Sequence, residues 1–234
     1  MWQTGDMNAG RTARERARAE LTDEIKTVAR QQLATVGAEA LSLRAISREL
    51  GMVSSALYRY FASRDELLTA LIIDAYDALG EAAEGAATGD DPIEEWLAIY
   101  AAVRGWARTY PQEYALIYGS PISGYQAPQT TVEPASRVPL ALLGLLQRAQ
   151  AAGRLSVPGD APEPEGTLAR QTEVLLALAP DVPAAVLVRA VIVWTQLFGM
   201  ISFELFGQLV GSMDPADAFF ASAARQMAAF VGLS

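Results

Sequence analysis

A short stretch near the start of the chain concentrates side chains that can hydrogen-bond to a nucleic acid. Between positions 42 and 64, serine, tyrosine and arginine alternate with leucine, isoleucine and phenylalanine. Hydroxyls and phenols can donate to phosphates or base edges, arginine can bond a guanine, and a small methyl group can contact thymine. The candidate DNA-contacting residues are Ser42, Arg44, Ser54, Ser55, Ala56, Tyr58, Arg59, Tyr60 and Arg64.

Two short helices joined by a glycine turn would position these side chains. Ser42 is a good N-cap for the first helix, and Gly51 supplies a turn where positive φ is expected. The second helix is predicted from about Ser54 to Phe61, with Leu57 and Phe61 facing inward. This pattern predicts a helix-turn-helix, which presents one helix to the major groove. An alternative for the tyrosines is half-buried packing, and for the arginines ordinary solvated charge.

Helices on both sides complete this part of the chain. Residues 1 to about 14 look disordered, and an amphipathic helix follows that carries Val36 on its inner face and ends at Gly37. Ser63, with Glu66 three residues later, forms a capping box that starts the next long helix.

The rest of the chain also has the pattern of helices. They are predicted over 92–109, 111–118, about 134–152, about 167–179, 183–209 and 215–231, with loops over 119–133 and 153–166. Most of these helices have a proline near the predicted start, where proline is tolerated. No alternating run predicts a strand, so the expected fold class is all-α.

The composition excludes several kinds of chemistry. The chain has 234 residues with no cysteine, no histidine and a single lysine, Lys26. A Cys/His zinc site and a Ser-His-Asp or Cys-His nucleophile are therefore impossible, and Lys26 lacks the context of a P-loop. We expect no metal and no cofactor.

Charge is distributed unevenly. Net charge is −9, yet residues 1–64 hold ten Lys/Arg against seven Asp/Glu, whereas residues 65–234 hold eight against twenty. DNA contact is therefore expected only in the first part. The basic segment 11–18 is either a solvated terminus or a phosphate-neutralising arm. The most apolar stretch, 184–203, contains Arg189 and Gln196, so we expect no membrane span and a cytoplasmic protein.

The last two predicted helices are candidates for a subunit interface. The helix over 183–209 is apolar nearly all round, which predicts burial on every side. Together with 215–231 it suits a four-helix bundle made by two subunits, the alternative being a core within one subunit. The candidate interface residues are Phe203, Phe206, Phe219, Phe220 and Met227.

Aromatic residues cluster in the middle of the chain, where an apolar ligand pocket is expected. Such pockets combine an apolar lining with a few polar groups, and Glu204 is one polar side chain that interrupts an apolar face. Core aromatics are the alternative. The candidate ligand-binding residues are Trp96, Tyr100, Tyr114, Tyr118, Gln147, Trp194, Gln196 and Phe198.

Residues 21–70 resemble the TetR family of bacterial transcription regulators. The likeness lies in the segments 42–51, 56–61 and 63–68. The chain has Val53 where the family often has Ser or Thr, so we expect Ser54 to cap the helix; it also has Tyr60 where His is common and Arg64 where Lys is usual. Trp194 to Gly199 resembles a Trp-x3-His-Gly signature, with Phe198 at the His position. The resemblance implies an all-α homodimer with a C-terminal ligand pocket.

These observations predict a DNA-binding transcriptional regulator. We expect a helix-turn-helix DNA-binding domain at 15–66 and a C-terminal ligand-binding and dimerisation domain at 67–234. The expected function is that of a repressor released from a double-stranded DNA operator by a small hydrophobic ligand. The alternatives are an architectural or ligand-independent DNA-binding protein and, less in keeping with the composition, an enzyme using carboxylates such as Glu94, Glu95 or Glu204.

Overall fold

The fold is all-α, as predicted. The computed structural model describes the backbone of residues 4–234 and the side chains of residues 13–234, and in this part of the chain the regular elements are helices, with one isolated bridge between Leu155 and Leu233. A 3-10 turn at Gln129–Thr131 precedes α7. The helices are α1 (Thr4–Val36), α2 (Leu43–Glu49), α3 (Ser54–Leu57), α4 (Arg64–Ala86), α5 (Pro92–Thr109), α6 (Pro111–Tyr118), α7 (Val132–Ala151), α8 (Gly166–Leu178), α9 (Ala184–Leu205) and α10 (Asp217–Val231).

Helix boundaries agree with the sequence pattern where a proline or cap defines them. Helices α5 and α6 have the predicted bounds, and Asp91 caps α5 by accepting from two backbone N–H groups. Helix α9 stops four residues before the predicted 209, and Gly207 follows with φ +80°, a conformation that favours glycine. Helix α1 starts at Thr4 although disorder was expected to about residue 14; residues 1–3 lie outside the described part.

The chain forms two compact units. One comprises residues up to 74 together with 120–128, and the other comprises 75–119 and 129–234. The segment 120–128 follows α6 in sequence but belongs with the first unit. The domain boundary between residues 66 and 67 stays a prediction.

Helices α1 to α4 pack around a small apolar core in the first unit. Ile25, Ile46, Leu57 and Leu67 are fully buried there. Val36, expected on the inner face, is exposed because it is the last residue of α1 and the chain turns away at Gly37.

The second unit is centred on α9, and two of its buried aromatic residues donate hydrogen bonds to helix carbonyls. The Trp96 indole N–H donates to the Ala224 carbonyl at 3.0 Å, and the Tyr100 hydroxyl donates to the Val193 carbonyl at 3.1 Å. By length and composition α9 is the one described helix apolar enough to cross a membrane, but half of it is buried within the protein. A core helix of a soluble protein has the same properties.

Ion pairs tie α5 to the last two helices. Arg104, nearly buried, donates two hydrogen bonds of 2.7 Å to the Glu204 carboxylate and one of 3.0 Å to Asp217. Glu204 is therefore used in a structural pair. The Arg104 guanidinium holds the pKa of the Asp217 carboxyl below its usual range, and Arg189 does the same for the pKa of Asp160.

These pairs predict acid sensitivity. A carboxyl whose pKa is lower in the folded than in the unfolded chain adds stability that is fully present above the unfolded pKa, about 4, and is lost as pH falls through the folded value. The midpoint of thermal unfolding should therefore fall as pH drops below about 4. Asp217→Asn should flatten this dependence, measured by circular dichroism.

The matched control is Asp181→Asn, an exposed aspartate between α8 and α9. Its curve of melting temperature against pH should follow that of the unaltered protein. Equal flattening by both substitutions would contradict a specific contribution from Asp217.

Candidate functional site

The first short helix of the motif is capped as predicted. The Ser42 hydroxyl accepts from the Ala45 backbone N–H at 3.4 Å, and the Ser42 N–H donates to the Gln32 side-chain oxygen at 3.2 Å. Gly51 has φ +64° and turns the chain into the next helix. These bonds hold α2 against α1 and fix where α3 begins.

Helix α3 is shorter than predicted and is capped differently. It comprises only Ser54–Leu57, with Val53 at the N-cap and no side-chain acceptor there. The expectation that Ser54 caps it is wrong, because the Ser54 hydroxyl pairs with the buried Ser47 hydroxyl at 3.1 Å. Residues up to Phe61 continue as hydrogen-bonded turns. The contact with Ser47 fastens the start of α3 to α2.

Most of the candidate DNA-contacting side chains are accessible. Leu57 is fully buried and Phe61 nearly so, which sets the inner face of α3. Within the set, Ser42, Ala56 and Tyr60 are half-buried. The exposed members are Arg44, Ser54, Ser55, Tyr58 and Arg59. The arrangement thus presents two hydroxyls, a phenol and two guanidinium groups on the outer side of the motif.

Arg64 has an internal function that the sequence did not suggest. Its guanidinium donates to the carbonyls of Ala38 and Glu39, at 2.8 and 3.2 Å. Both bonds come from one terminal nitrogen, Nη2, which carries two N–H groups and so can donate to two carbonyls at once. Since these donors are used within the first unit, we withdraw Arg64 from the proposed phosphate contacts.

Two further interactions at the site were missed. Arg18 donates to the Arg59 carbonyl at 3.1 Å, and its guanidinium lies 5.0 Å from the centre of the Tyr60 ring. Arg48 is exposed on α2, one turn after Arg44. The basic segment 11–18 includes Arg18, but its composition predicts only a solvated terminus or a phosphate-neutralising arm.

The capping pair predicted at the start of α4 is present, but the Glu66 carboxylate reaches the N–H of Ala62 instead of that of the cap residue Ser63. The Ser63 hydroxyl accepts from the Glu66 N–H at 3.1 Å, and the Glu66 carboxylate accepts from the Ala62 N–H at 2.6 Å. Two N–H groups at the helix start are thereby satisfied. The chain is held rigidly just after the motif.

An apolar cavity of about 210 Å³, open to solvent where Leu140, Leu178 and Val191 are exposed, lies among α7, α8 and α9. Pro139 lies inside α7 and lines the cavity, where proline leaves a gap in the helical hydrogen bonds. The other lining residues are Ser136, Leu140, Leu142, Leu143, Leu175, Leu178, Leu187, Ala190, Val191 and Trp194. A lining with no charged group suits an uncharged apolar molecule.

Of the predicted ligand-binding residues, Trp194 lines this cavity. Gln196 is on the exposed side of α9, and the Gln147 amide donates to the Leu178 carbonyl at 3.0 Å. Trp96 stacks on Tyr100 with ring centres 4.8 Å apart. Because its side chain is exposed on α9, Gln196 is withdrawn from the proposed pocket.

The two tyrosines of α6 pack against α9. The Tyr114 hydroxyl donates to the Phe198 carbonyl at 2.9 Å, and the Tyr118 ring stacks on Phe198 at 4.0 Å. Burial raises the pKa of Tyr114 to about 12 and also raises the pKa of Tyr100 and Tyr118. These phenols are neutral hydrogen-bond donors at neutral pH. A ligand role for Tyr114, Tyr118 or Phe198 stays a prediction.

The candidate interface residues divide into two groups. Phe203 on α9 and Phe206 just after it are exposed, and Phe219 and Met227 on α10 are half-buried. Phe220 is buried in its own subunit, with the Arg104 guanidinium 4.8 Å from its ring centre. Phe220 is therefore withdrawn from the proposed interface.

Comparison with known proteins agrees with the geometry. Residues 25–71 match the family described as "Bacterial regulatory proteins, tetR family", and residues 96–228 match "Tetracyclin repressor-like, C-terminal domain". The chain is 40% identical over 227 residues to the HTH-type transcriptional regulators Rv1816 of Mycobacterium tuberculosis and Mb1846 of Mycobacterium bovis, covering 94% of this chain and of each relative. The chain belongs to the TetR family.

Solved structures agree with this assignment. The crystal structure of the regulatory protein SCO4313 is 36% identical, with 91% of this chain and 97% of that chain covered and a TM-score of 0.71. The TetR-family regulator PfmR from Thermus thermophilus is 21% identical, with 90% and 98% covered and a TM-score of 0.57, and shares the fold. As a TetR-family member the protein is a DNA-binding transcriptional regulator and not an enzyme.

The exposed phenol of Tyr58 allows a direct test of whether the outer side of the helix-turn-helix contacts DNA bases. Tyr58→Ala should lower affinity for the selected operator about tenfold, as expected for loss of a base-edge contact, and leave the melting temperature unchanged. The operator can be obtained by selecting the protein's preferred duplexes from a random-sequence pool, and affinity measured by gel shift. Tyr110→Ala is the matched control, because Tyr110 is 47% exposed and Tyr58 is 44% exposed. Unchanged affinity of the Tyr58 variant would remove it from the reading face.

Proposed function

We propose that this TetR-family protein is a cytoplasmic repressor that binds its operator as a homodimer and is released by a small hydrophobic ligand. The observation that carries the proposal is the combination of an accessible polar face on α3 with an apolar cavity in the other unit. The first feature suits DNA and the second suits an uncharged organic molecule. A protein with both can couple two binding equilibria.

Two copies of α3 would read the operator. Ser54, Ser55 and Tyr58 are the candidates for base edges, while Arg44 and Arg59 can bond a guanine or neutralise a phosphate. In a dimer, half-sites one helical turn apart require recognition helices about 34–36 Å apart. We therefore propose a pseudo-palindromic operator.

The proposed dimer contact is formed by α9 and α10. Ile192, Gly199 and Phe203 recur at steps of seven and four along the outer side of α9, all exposed. Phe206, just after α9, adds a second exposed ring. Exposed apolar residues that align in this way are typical of an interaction surface. Gly199 has open space at the position of a Cβ, so a neighbouring helix can approach there.

The dimer contact predicts a simple change of mass. Phe203→Glu places a charge on this apolar surface and should convert a dimer of twice 25.0 kDa into a monomer at micromolar concentration. Multi-angle light scattering measures the mass. Val36→Glu is the matched control, because Val36 is 56% exposed and Phe203 is 57% exposed. A dimeric Phe203→Glu protein would show that the interface lies elsewhere.

The ligand would enter the cavity among α7, α8 and α9. Its volume of about 210 Å³ exceeds the roughly 150 Å³ of an engineered apolar cavity that holds benzene. The Ser136 hydroxyl is the one hydroxyl group of the lining and Trp194 its one aromatic residue. A compact uncharged molecule with one polar group would therefore fit.

A route from this cavity to the first unit follows the chain. The wall of the cavity includes Trp194 on α9, and four residues further on Phe198 is bonded to Tyr114 and stacked on Tyr118 of α6. The segment 120–128 follows α6 directly and belongs to the first unit. We propose that ligand binding alters α6 and with it this segment. The response is limited by the difference in ligand affinity between the DNA-bound and released conformations.

Filling the cavity should abolish the response to ligand. Ala190 lines the cavity, so Ala190→Phe should leave operator affinity within about twofold but remove stabilisation by ligand. The probes are uncharged alkanols and alkylphenols, screened by thermal shift and then tested for operator release by fluorescence anisotropy. Ala177→Phe, at an exposed position of α8, is the matched control and should respond normally.

The same screen tests the alternative of a ligand-independent DNA-binding protein. If none of the uncharged probes raises the melting temperature of the unaltered protein or releases the operator, that alternative is favoured. Release by a probe that still acts on Ala190→Phe would place the ligand at another site.

A further inference from the structure

Helix α3 depends on outside contacts for its orientation. It has one turn, Ser54–Leu57, and no side-chain N-cap. A single turn is unstable alone, because several backbone dihedrals are fixed for one hydrogen bond. Burial of Leu57 and the Ser54–Ser47 bond fix its inner side and its start. Tyr58 and Arg59 lie beyond Leu57, at the other end of this short segment, and a separate contact must hold them in place.

Arg18 supplies a contact at this end of the segment. It lies on α1, forty-one positions away in sequence, and donates to the Arg59 carbonyl at 3.1 Å. Arg59 lies two residues beyond Leu57, the last residue of α3, and carbonyls at the end of a helix have no partner within the helix. The Arg18 guanidinium therefore satisfies an acceptor at the residue whose side chain would face DNA.

The same guanidinium also lies over the Tyr60 ring, 5.0 Å from its centre. A cation over an aromatic face is attracted by the ring quadrupole, and arginine is suited to this because its group is planar and weakly hydrated. Arg18 thus holds the backbone of Arg59 and the side chain of Tyr60 together. Two contacts to adjacent residues restrict the orientation of the segment more than either contact alone.

We infer that Arg18 is a positioning residue for DNA reading, acting through the Arg59 carbonyl and the Tyr60 ring. This inference rests on the proposed reading role of α3. It differs from the simpler role of an arginine in a basic arm, which would neutralise a phosphate and raise affinity for every DNA sequence alike. A positioning residue instead changes the ratio of affinities for operator and unrelated DNA.

The experiment compares Arg18 with Arg16, an exposed arginine of the same basic segment. Arg18→Ala and Arg16→Ala remove the same charge. Affinities are measured by fluorescence anisotropy for the duplex selected by the unaltered protein and for a scrambled duplex of equal length and composition. Salt concentration is varied for both, and melting temperatures are recorded for every variant.

Arg18→Ala should lower operator affinity about tenfold more than affinity for the scrambled duplex, given the usual strength of a charged hydrogen bond and an exposed cation–π contact. Arg16→Ala should lower both affinities equally and leave the ratio unchanged. Arg18→Lys retains the charge and should restore affinity for the scrambled duplex, but not the full ratio, because an ammonium lacks the planar fork.

Two variants at position 60 separate the ring, which Arg18 contacts, from the hydroxyl, which is a candidate donor to DNA. Tyr60→Phe removes only the hydroxyl and so measures any contact that the hydroxyl makes with DNA, whereas Tyr60→Leu also removes the ring and should lower the affinity ratio further than Tyr60→Phe does. In a protein that already carries Tyr60→Leu, adding Arg18→Ala should lower the affinity ratio by a smaller factor than it does in the unaltered protein, because the contact between Arg18 and the Tyr60 ring is already lost. If Arg18→Ala proves unfolded, the Lys and Leu variants still give the ratio.

Two outcomes would overturn the inference, for distinguishable reasons. If Arg18→Ala and Arg16→Ala lower both affinities equally, Arg18 acts as phosphate-neutralising charge alone. If the unaltered protein selects no preferred sequence from the random pool, the proposed reading function fails and the inference fails with it.

Discussion

The constraint on which the DNA-binding half depends is the brevity of α3. One turn of helix, Ser54–Leu57, is not stable alone, so contacts with neighbouring residues determine its conformation and orientation. Leu57 is buried in the core of the first unit, Ser54 is bonded to Ser47, and Ser63 with Glu66 caps the helix that follows. Because these residues make the internal contacts, the other polar side chains of the site can face outward.

Much of this could be predicted from sequence because the signals are local. Apolar residues spaced three and four positions apart, caps such as Ser42 and Ser63, and prolines at helix starts predicted the helices, and the bounds of α5 and α6 agree residue for residue. The helix cap that was wrong and the site residues that were withdrawn depend on tertiary contacts. Ser54 could cap or pair with Ser47, Arg64 could face DNA or bond carbonyls, and Phe220 could pack in either of two cores. Residue type alone does not distinguish such alternatives.

Glu39 connects the segment 120–128 to the support of the motif. Its carboxylate accepts from the Ser123 backbone N–H at 3.0 Å, and this bond, with the nearby Arg64, lowers the pKa of Glu39. The Glu39 carbonyl accepts from Arg64, the first residue of α4. The Tyr125 and Thr69 hydroxyls share a second bond of 2.9 Å. The segment is therefore bonded to both the α1–α2 turn and α4.

This arrangement bears on how a ligand could act without touching the reading face. Arg64 donates to the α1–α2 turn, and Ser42, which follows that turn, caps α2. A small displacement of the segment 120–128 would thus reach α3 through bonds that are individually weak and act in series. Because exposed polar bonds each contribute little, such a connection can be broken by a modest difference in ligand affinity. If the proposed function holds, a recognition helix whose orientation depends on its neighbours would lose its fit to DNA once those supporting contacts were loosened, without any ligand contact to α3 itself.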